Sequence, residues 1–255
     1  MRQRTLITGA SAGLGAEMAR QFAARGVDLG LCARRVERLE QLRAEILAAH
    51  PDRTVVIRPL DVDDHDAVFR VFREIADELG GLDRVIVNAG LGKGSPIGTG
   101  RFDANKATIT TNLVSALAQC EAAMEIFREA NAGHLVVVSS LSALRGMPRS
   151  MTAYSASKAG VATLAEGIRA DVFGSPIMVT TLLPGYIRSE MNDRVAQRTP
   201  LMASTTDGVR SMVRAIEKEV AEAMVPPWPW RPLSVVIRHA PLRILRKMGS
   251  GSSRV

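Results

Sequence analysis

Tyr154 and Lys158 stand four residues apart in the run Tyr154-Ser155-Ala156-Ser157-Lys158. On a helix that spacing brings both side chains to one face. A phenol titrates near ~10, and a neighbouring cation favours the phenolate, so the pair suggests proton transfer with Tyr154 as acid or base. Such a pair also fits a solvated helix face, and the rest of the chain has to decide between the two.

The second informative segment lies near the start. Residues Thr5 to Gly15 form a short apolar strand followed by Gly9, Ser11, Gly13, Leu14 and Gly15, leading into a helix expected over Ala16 to Arg25. Glycines there let the backbone approach a ligand, and a helix N-terminus offers unpaired N–H groups and a positive dipole end to a pyrophosphate. The spacing differs from the G-x-G-x-x-G pattern of many dinucleotide-binding turns, and a Gly-rich turn after a strand can also be only a turn.

Taken together, Thr8-Gly9-x-x-x-Gly13-x-Gly15 and Tyr154-x-x-x-Lys158 resemble the short-chain dehydrogenase/reductase family. Asp61-Val62, Asn88-Ala89-Gly90, Asn112, Ser139-Ser140 and Pro184-Gly185 follow in that family's order, over roughly residues 4 to 225. The resemblance implies a catalytic set of Asn112, Ser140, Tyr154 and Lys158. It also implies a cofactor site drawn from Gly9, Ser11, Gly13, Leu14, Gly15, Asp61, Val62, Asn88, Ala89, Gly90, Pro184, Gly185 and Ile187, with Tyr154 and Lys158 contributing. Asp61-Val62 would close over an adenine, Lys158 would hold the nicotinamide ribose, and Asn112 would anchor a water-linked proton relay. One spacing departs from the family. Its Ser commonly precedes the Tyr by thirteen residues, whereas Ser140 precedes Tyr154 by fourteen and Ser139 by fifteen. The extra residue is expected in the loop Arg149 to Thr152. Ser142 is the rival to Ser140, and Ser139 is read as a structural hydroxyl.

Strands are expected at Thr5–Thr8, Leu29–Ala33, Val55–Pro59, Arg84–Asn88, Leu135–Ser139, Val179–Leu183 and about Ala221–Val225, with amphipathic helices between. Over Arg35 to Ala49, for example, Val36, Leu39, Leu42 and Ile46 form one stripe. The alternation predicts an α/β chain: a single Rossmann-like, doubly wound parallel sheet of about seven strands, with helices on both faces and ligands at the carboxyl ends of the strands. The Gly-turn, Asn88, Ser140 and Pro184 all fall just beyond strand ends.

The end of the second strand bears on cofactor choice. A site for NAD usually has a carboxylate there to meet the ribose 2′-hydroxyl, whereas this chain has Arg34 and Arg35. They predict NADP (NADPH), with Arg34 the first choice to meet the 2′-phosphate, Arg35 beside it and Ser11 adding a hydrogen bond. Alternatively, one of the arginines only solvates the following helix.

The function expected is therefore NADP(H)-dependent hydride transfer between nicotinamide and a carbonyl or secondary alcohol. The alternatives are a non-catalytic NADP-binding sensor or scaffold and, among enzymes, a soluble 3-ketoacyl-thioester reductase. Ile187, Met191, Val195, Leu201 and Met202 could form an apolar lid over a hydrophobic substrate or could equally be ordinary packing residues, and the Gly-rich loop Leu91 to Gly100 is expected to be mobile. Arg188, Arg194 or Arg198 could instead reach an acidic tail on the substrate.

At 255 residues and 46% hydrophobic content, the chain suits one dinucleotide-binding domain over residues 1–225, followed by a basic apolar extension over 226–255. From Ala223 onward there are six Lys/Arg and no acid, which accounts for most of the net charge of +7. The extension holds both tryptophans and could lie on an anionic membrane, pack over the substrate mouth or a subunit boundary, or remain a loose tail. Pro241 interrupts any long helix there. Nucleic-acid binding is not expected, because aromatic content is 4% and no recognition motif occurs. Cys32 and Cys120 read as buried small hydrophobes, and no Cys/His spacing suits a metal. The first strand lies too near Met1 for a signal peptide, which points to a cytoplasmic protein, and family resemblance makes a dimer or tetramer the expectation.

Overall fold

A computed structural model describes residues 3–92, 94–188 and 202–248. Among them, seven strands form one parallel sheet in the order β3-β2-β1-β4-β5-β6-β7. They are β1 (Arg4–Thr8), β2 (Asp28–Ala33), β3 (Val55–Pro59), β4 (Arg84–Val87), β5 (Gly133–Val138), β6 (Ile177–Pro184) and β7 (Glu222–Val225). Every expected strand is present, displaced by a residue or two at its ends.

Helices cover both faces because successive strand residues point to opposite sides. Leu6, Val85, Val87, Leu135 and Val137 pack on one side with α3 (His65–Leu79), α5 (Ser115–Glu129) and α6 (Thr152–Asp171). Ile7, Ile86, Val136 and Val138 pack on the other with α1 (Gly13–Ala23), α2 (Val36–Ala49) and a later helix, α7 (Thr205–Glu217). Local signals set the helix ends. Asp64 caps α3 by accepting from the Ala67 N–H at 3.1 Å, and Gly80 ends it at φ +72°, a left-handed conformation that glycine adopts without Cβ strain. α1 starts at Gly13 rather than Ala16, so the Gly-turn itself forms the first helical turn.

A short helix, α4 (Phe102–Ile109), runs into α5 through one π turn, Thr110–Val114. A π turn inserts an extra residue into the helix, and here it accompanies Asn112 turned inward and 1% exposed. At the amino ends of the central strands, the buried Arg84 donates from Nε to His134 Nδ1 at 3.0 Å and from Nη1 to Glu217 Oε1 at 2.8 Å. Because an arginine only donates, the His134 ring proton lies on Nε2. It is shared with Thr180 Oγ1 at 2.9 Å, and Thr180 passes its own proton to Val220 O. This buried polar pin ties β4, β5, β6 and α7 together beneath the site.

After β7 the chain forms α8 (Pro227–His239) and α9 (Leu242–Met248), separated at Ala240-Pro241. The inner face of α8 buries Trp230 against Leu141 and Leu183, with Leu144, Met224 and Leu233 packed around them. Of the expected lid, Met191, Val195 and Leu201 lie outside the described residues, as do Arg194 and Arg198. Ile187 is buried against Gly208, and the chain closes a small neck through Arg188 N to Ala203 O and Ala203 N to Tyr186 O, each 3.0 Å.

Candidate active site

The carboxyl ends of the strands surround a cavity of about 540 Å³. It lies over the gap between β1 and β4, where strand order reverses and open α/β sheets place their ligands. Its lining includes Gly9, Ser11, Gly13, Leu14, Arg34, Arg35, Asp61, Val62, Asn88, Ala89, Gly90, Ser140, Tyr154, Lys158, Pro184, Gly185 and Ile187. Of the expected catalytic and cofactor-binding residues, Gly15 and Asn112 alone do not line it.

Both exceptions have a visible role. Gly15 is buried so tightly that a Cβ would overlap Gly9 O and press on Asn88 Nδ2, which makes it a packing glycine. Asn112 grips the strand-end loop with both ends of its amide. Its Oδ1 accepts from Leu91 N at 2.7 Å, and its Nδ2 donates to Leu91 O at 2.9 Å and to Ser157 Oγ at 3.2 Å. Ser157 in turn donates to Tyr154 O, so Asn112 joins the loop to the helix that carries Tyr154. A Cβ on Gly90 would lie 3.0 Å from Asn112 Oδ1 and 3.5 Å from Lys158 Nζ, so glycine lets this loop pass close to both.

Asn88 works in the same manner on the Gly-turn. Its Nδ2 donates to Thr8 O at 2.9 Å, while Thr8 Oγ1 accepts from the Asn88 and Ala89 N–H groups at 3.0 and 3.1 Å. These bonds lock the end of β1 to the end of β4. Gly9 and Gly13 take φ values of +63° and +55°. No side chain caps α1, so its first N–H groups face the cavity side of the turn without a side-chain acceptor. A positive helix end, close-approach glycines and exposed donors fit a dinucleotide pyrophosphate.

The Ser, Tyr and Lys positions converge at the other end. Ser140 stands beside Tyr154 at the cavity and lowers the phenol's pKa in part, and its Oγ accepts from Ser142 N at 3.1 Å. Ser142 does not line the cavity, and Ser139 donates its hydroxyl to Lys158 O at 2.7 Å, bracing β5 against α6. Between Ser140 and Tyr154 lies a 3-10 turn over Arg149–Met151, with Arg149 at φ +63°. The Gly-rich loop is fastened there as well, because Gly94 N donates to Ser150 O and Ser95 N donates to Asn105 Oδ1.

One expectation about charge is corrected by the structure. Burial holds the Tyr154 phenol above its ordinary value; the Ser140 hydrogen bond lowers it in part, and nearby Tyr186 raises it further. Lys158 therefore does not draw the phenol down here. Its own ammonium is buried, donates to Val138 O at 2.9 Å, and is pulled down to about 8 by loss of solvent. The Cys32 and Cys120 thiols are pushed up to about 12 by burial, which leaves them unreactive.

Sequence reading missed the wall beside this chemistry. Tyr186, 48% exposed, meets the Trp230 ring edge-on at a centroid distance of 5.5 Å. A Cβ on Gly185 would overlap the Trp230 indole, so the glycine after Pro184 admits α8 to the edge of the cavity. The pairing of the two tryptophans with prolines marked the segment as unusual, but sequence periodicity gave no contact partner.

A family model described as short chain dehydrogenase matches residues 3–200. The chain belongs to that family. It is an oxidoreductase of the short-chain dehydrogenase type, and the fold of that family binds a nicotinamide cofactor. An uncharacterized oxidoreductase of Mycobacterium tuberculosis (strain H37Rv) is 52% identical over 246 residues, covering 96% of this chain and 97% of the relative. That match leaves too few residues outside it to exclude the C-terminal extension. The 11-beta-hydroxysteroid dehydrogenase 1A of Arabidopsis thaliana is 30% identical, with 97% of this chain and 76% of the relative covered. Among solved structures, a closed form of serine dehydrogenase with NADP+ superposes with a TM-score of 0.78 at 23% identity, over 88% of this chain and 95% of that one. Among the described residues, no helix is long and apolar enough to cross a membrane.

Proposed function

We propose that this short-chain dehydrogenase transfers a hydride between NADP(H) and the carbonyl or secondary alcohol carbon of a hydrophobic substrate, with Tyr154 as general acid and base. The observation that carries the chemistry is the convergence of Ser140, Tyr154 and the buried Lys158 on one cavity. A bound nicotinamide supplies or accepts the hydride. In the reducing direction Tyr154 gives its phenolic proton to the substrate oxygen while the Ser140 hydroxyl donates to the same atom; in oxidation Tyr154 takes the proton back. Lys158 would hold the ribose hydroxyls, and the Gly9–Gly15 turn the pyrophosphate. A sensor or scaffold would not need this set of hydroxyl, phenol and ammonium at one cavity end.

The choice of NADP rests on the mouth of the cavity near β2. No carboxylate ends that strand. Arg35 Nε–H donates to Ser11 Oγ at 3.2 Å, joining the guanidinium to the Gly-turn, whereas Arg34 lies 3.7 Å from Asp61 and is partly neutralised by it. Arg35 with Ser11 is thus the better cradle for a 2′-phosphate, reversing the order expected from sequence. Nicotinamide fluorescence titrations are expected to show NADPH bound at least about tenfold more tightly than NADH, about 1.4 kcal/mol. Arg35→Ala should remove most of that preference and Arg34→Ala less. Equal affinities in the unaltered protein would reject the NADP assignment.

A lipophilic substrate is supported by Leu91, Val138 and Ile187 on the cavity wall, by the Tyr186 and Trp230 rings beside it, and by likeness to a steroid dehydrogenase. Exposed Val114 at the end of the π turn and Leu117 on α5 support a homo-oligomer. Two unpaired, buried cysteines suit a reducing compartment such as the cytoplasm.

A further inference from the structure

The C-terminal helices carry apolar side chains on two opposite faces, and among the described residues only one of those faces is covered. Trp230, Ser234 and Ile237 of α8 are buried, with Leu233 packed beside them. At 3.6 residues per turn, Pro232, Val235, Val236 and His239 fall on the other side. Val235 and Val236 are 59% and 58% exposed there. Leu242 and Ile244 on α9 continue the apolar surface, and Trp228 begins it at 78% exposure.

The charge beside this surface identifies what covers it. Arg231, Arg238, Arg243 and Arg246 are all exposed on the same two helices, and no acid follows Glu222 anywhere in the chain. An apolar stripe flanked by guanidiniums on long, flexible stems, with a Trp at its edge, matches a helix lying in an anionic lipid interface. A second copy of this chain laid on the same face would set arginines against arginines. The separation of α8 from α9 at Ala240-Pro241 rules out a spanning helix and leaves two short segments that can lie flat.

We infer that α8 and α9 dock the protein on the surface of an anionic membrane. Position adds a functional consequence. The inner face of α8 touches Gly185 and Leu183 at the cavity edge, and Arg145 Nη1 donates to Arg238 O, tying α8 to the loop after Ser140. Docking would hold the substrate mouth within about one helix diameter, ~10 Å, of the lipid. That link to substrate delivery rests on the lipophilic reading of the site given above, whereas the docking itself does not.

The test is flotation of the full-length protein with vesicles of phosphatidylcholine alone or mixed with phosphatidylglycerol, together with Trp emission. Binding to the anionic vesicles only is expected, weakened by salt, with a blue shift from the exposed Trp228. Each of Arg231→Gln, Arg238→Gln, Arg243→Gln and Arg246→Gln should weaken binding about fivefold. Val235→Glu with Val236→Glu should weaken it by more than about tenfold, while NADPH affinity and thermal unfolding stay those of the unaltered protein. Flotation with both vesicle types, with neither, or undiminished by these changes overturns the docking. So does an oligomer in solution that Val235→Glu with Val236→Glu dissociates, since the face would then belong to a second copy. Turnover of lipophilic ketones in detergent, measured separately, judges the proposed reaction whatever the vesicles show.

Discussion

Tyr154→Phe is expected to lower kcat for carbonyl reduction by about 10²–10⁴-fold while leaving NADPH affinity within about twofold. The substitution removes one oxygen and keeps the ring, so the packing around the start of α6 and the cavity volume hardly change. It also removes the proton donor that stands beside Ser140 at the cavity. Ser140 would remain as a donor to the substrate oxygen, but a neutral hydroxyl bonded to Ser142 N is a weak source of a proton. Because burial holds the Tyr154 phenol above its ordinary value, the group is protonated across neutral pH and poised as the acid of reduction. Steady-state kinetics with a hydrophobic ketone, beside nicotinamide fluorescence titration, measures both quantities. A variant that turned over at the unaltered rate would assign the proton to another group.

What could be read from the sequence, and what could not, follows from the range of the interactions involved. The strands were legible because Leu135 to Val138 is an unbroken apolar run and Val179 to Leu183 is a run of β-branched and apolar residues, as parallel strands buried on both faces favour. The Gly-turn and the Tyr154 helix were legible because their chemistry is local in sequence. Arg84 and His134 were not. Their types mark them as surface residues, and only the pairing of β4 with β5 and the approach of Glu217 from α7 make their burial acceptable. The order of Arg34 and Arg35 was likewise hidden. Adjacent arginines look equivalent in a string, and the difference arises from Asp61 and Ser11, which reach them from other turns.

The extension after β7 shows a third kind of limit. Its composition announced that it was basic, apolar and without acids, but helix periodicity was obscured by four prolines between Pro226 and Pro232. The structure separates its residues into an inner set packed at the cavity edge and an outer set that meets solvent. That division changes the meaning of Gly185. From sequence it was half of a cofactor motif; in the fold it is also the space that the Trp230 indole occupies.

Lys158 gives the clearest expected dependence on pH. Its ammonium is buried and its folded-state pKa is pulled down to about 8 by desolvation, against 10.5 for an unhindered Lys. Below about pH 8 the folded and unfolded chains both hold the proton, and the folded state bears the full penalty of a buried charge. Between about 8 and 10.5 the folded state has released it while the unfolded state keeps it, so this group makes stability rise with pH across that window. The full rise is about 3 kcal/mol, from about 1.4 kcal/mol per pKa unit. The buried thiols act oppositely, since their folded pKa of about 12 lies above the unfolded 9.0, and the raised Tyr154 does the same above about 10. Comparison with Lys158→Met cancels those contributions because both proteins retain them. Urea unfolding of the pair from pH 8 to pH 10.5 should show the unaltered protein gaining on the variant by about 3 kcal/mol. Parallel curves would mean that Lys158 keeps its proton throughout that range. The ammonium would then be better stabilised by Val138 O and its surroundings than its burial implies, and it could hold its charge beside Tyr154 through the same pH range.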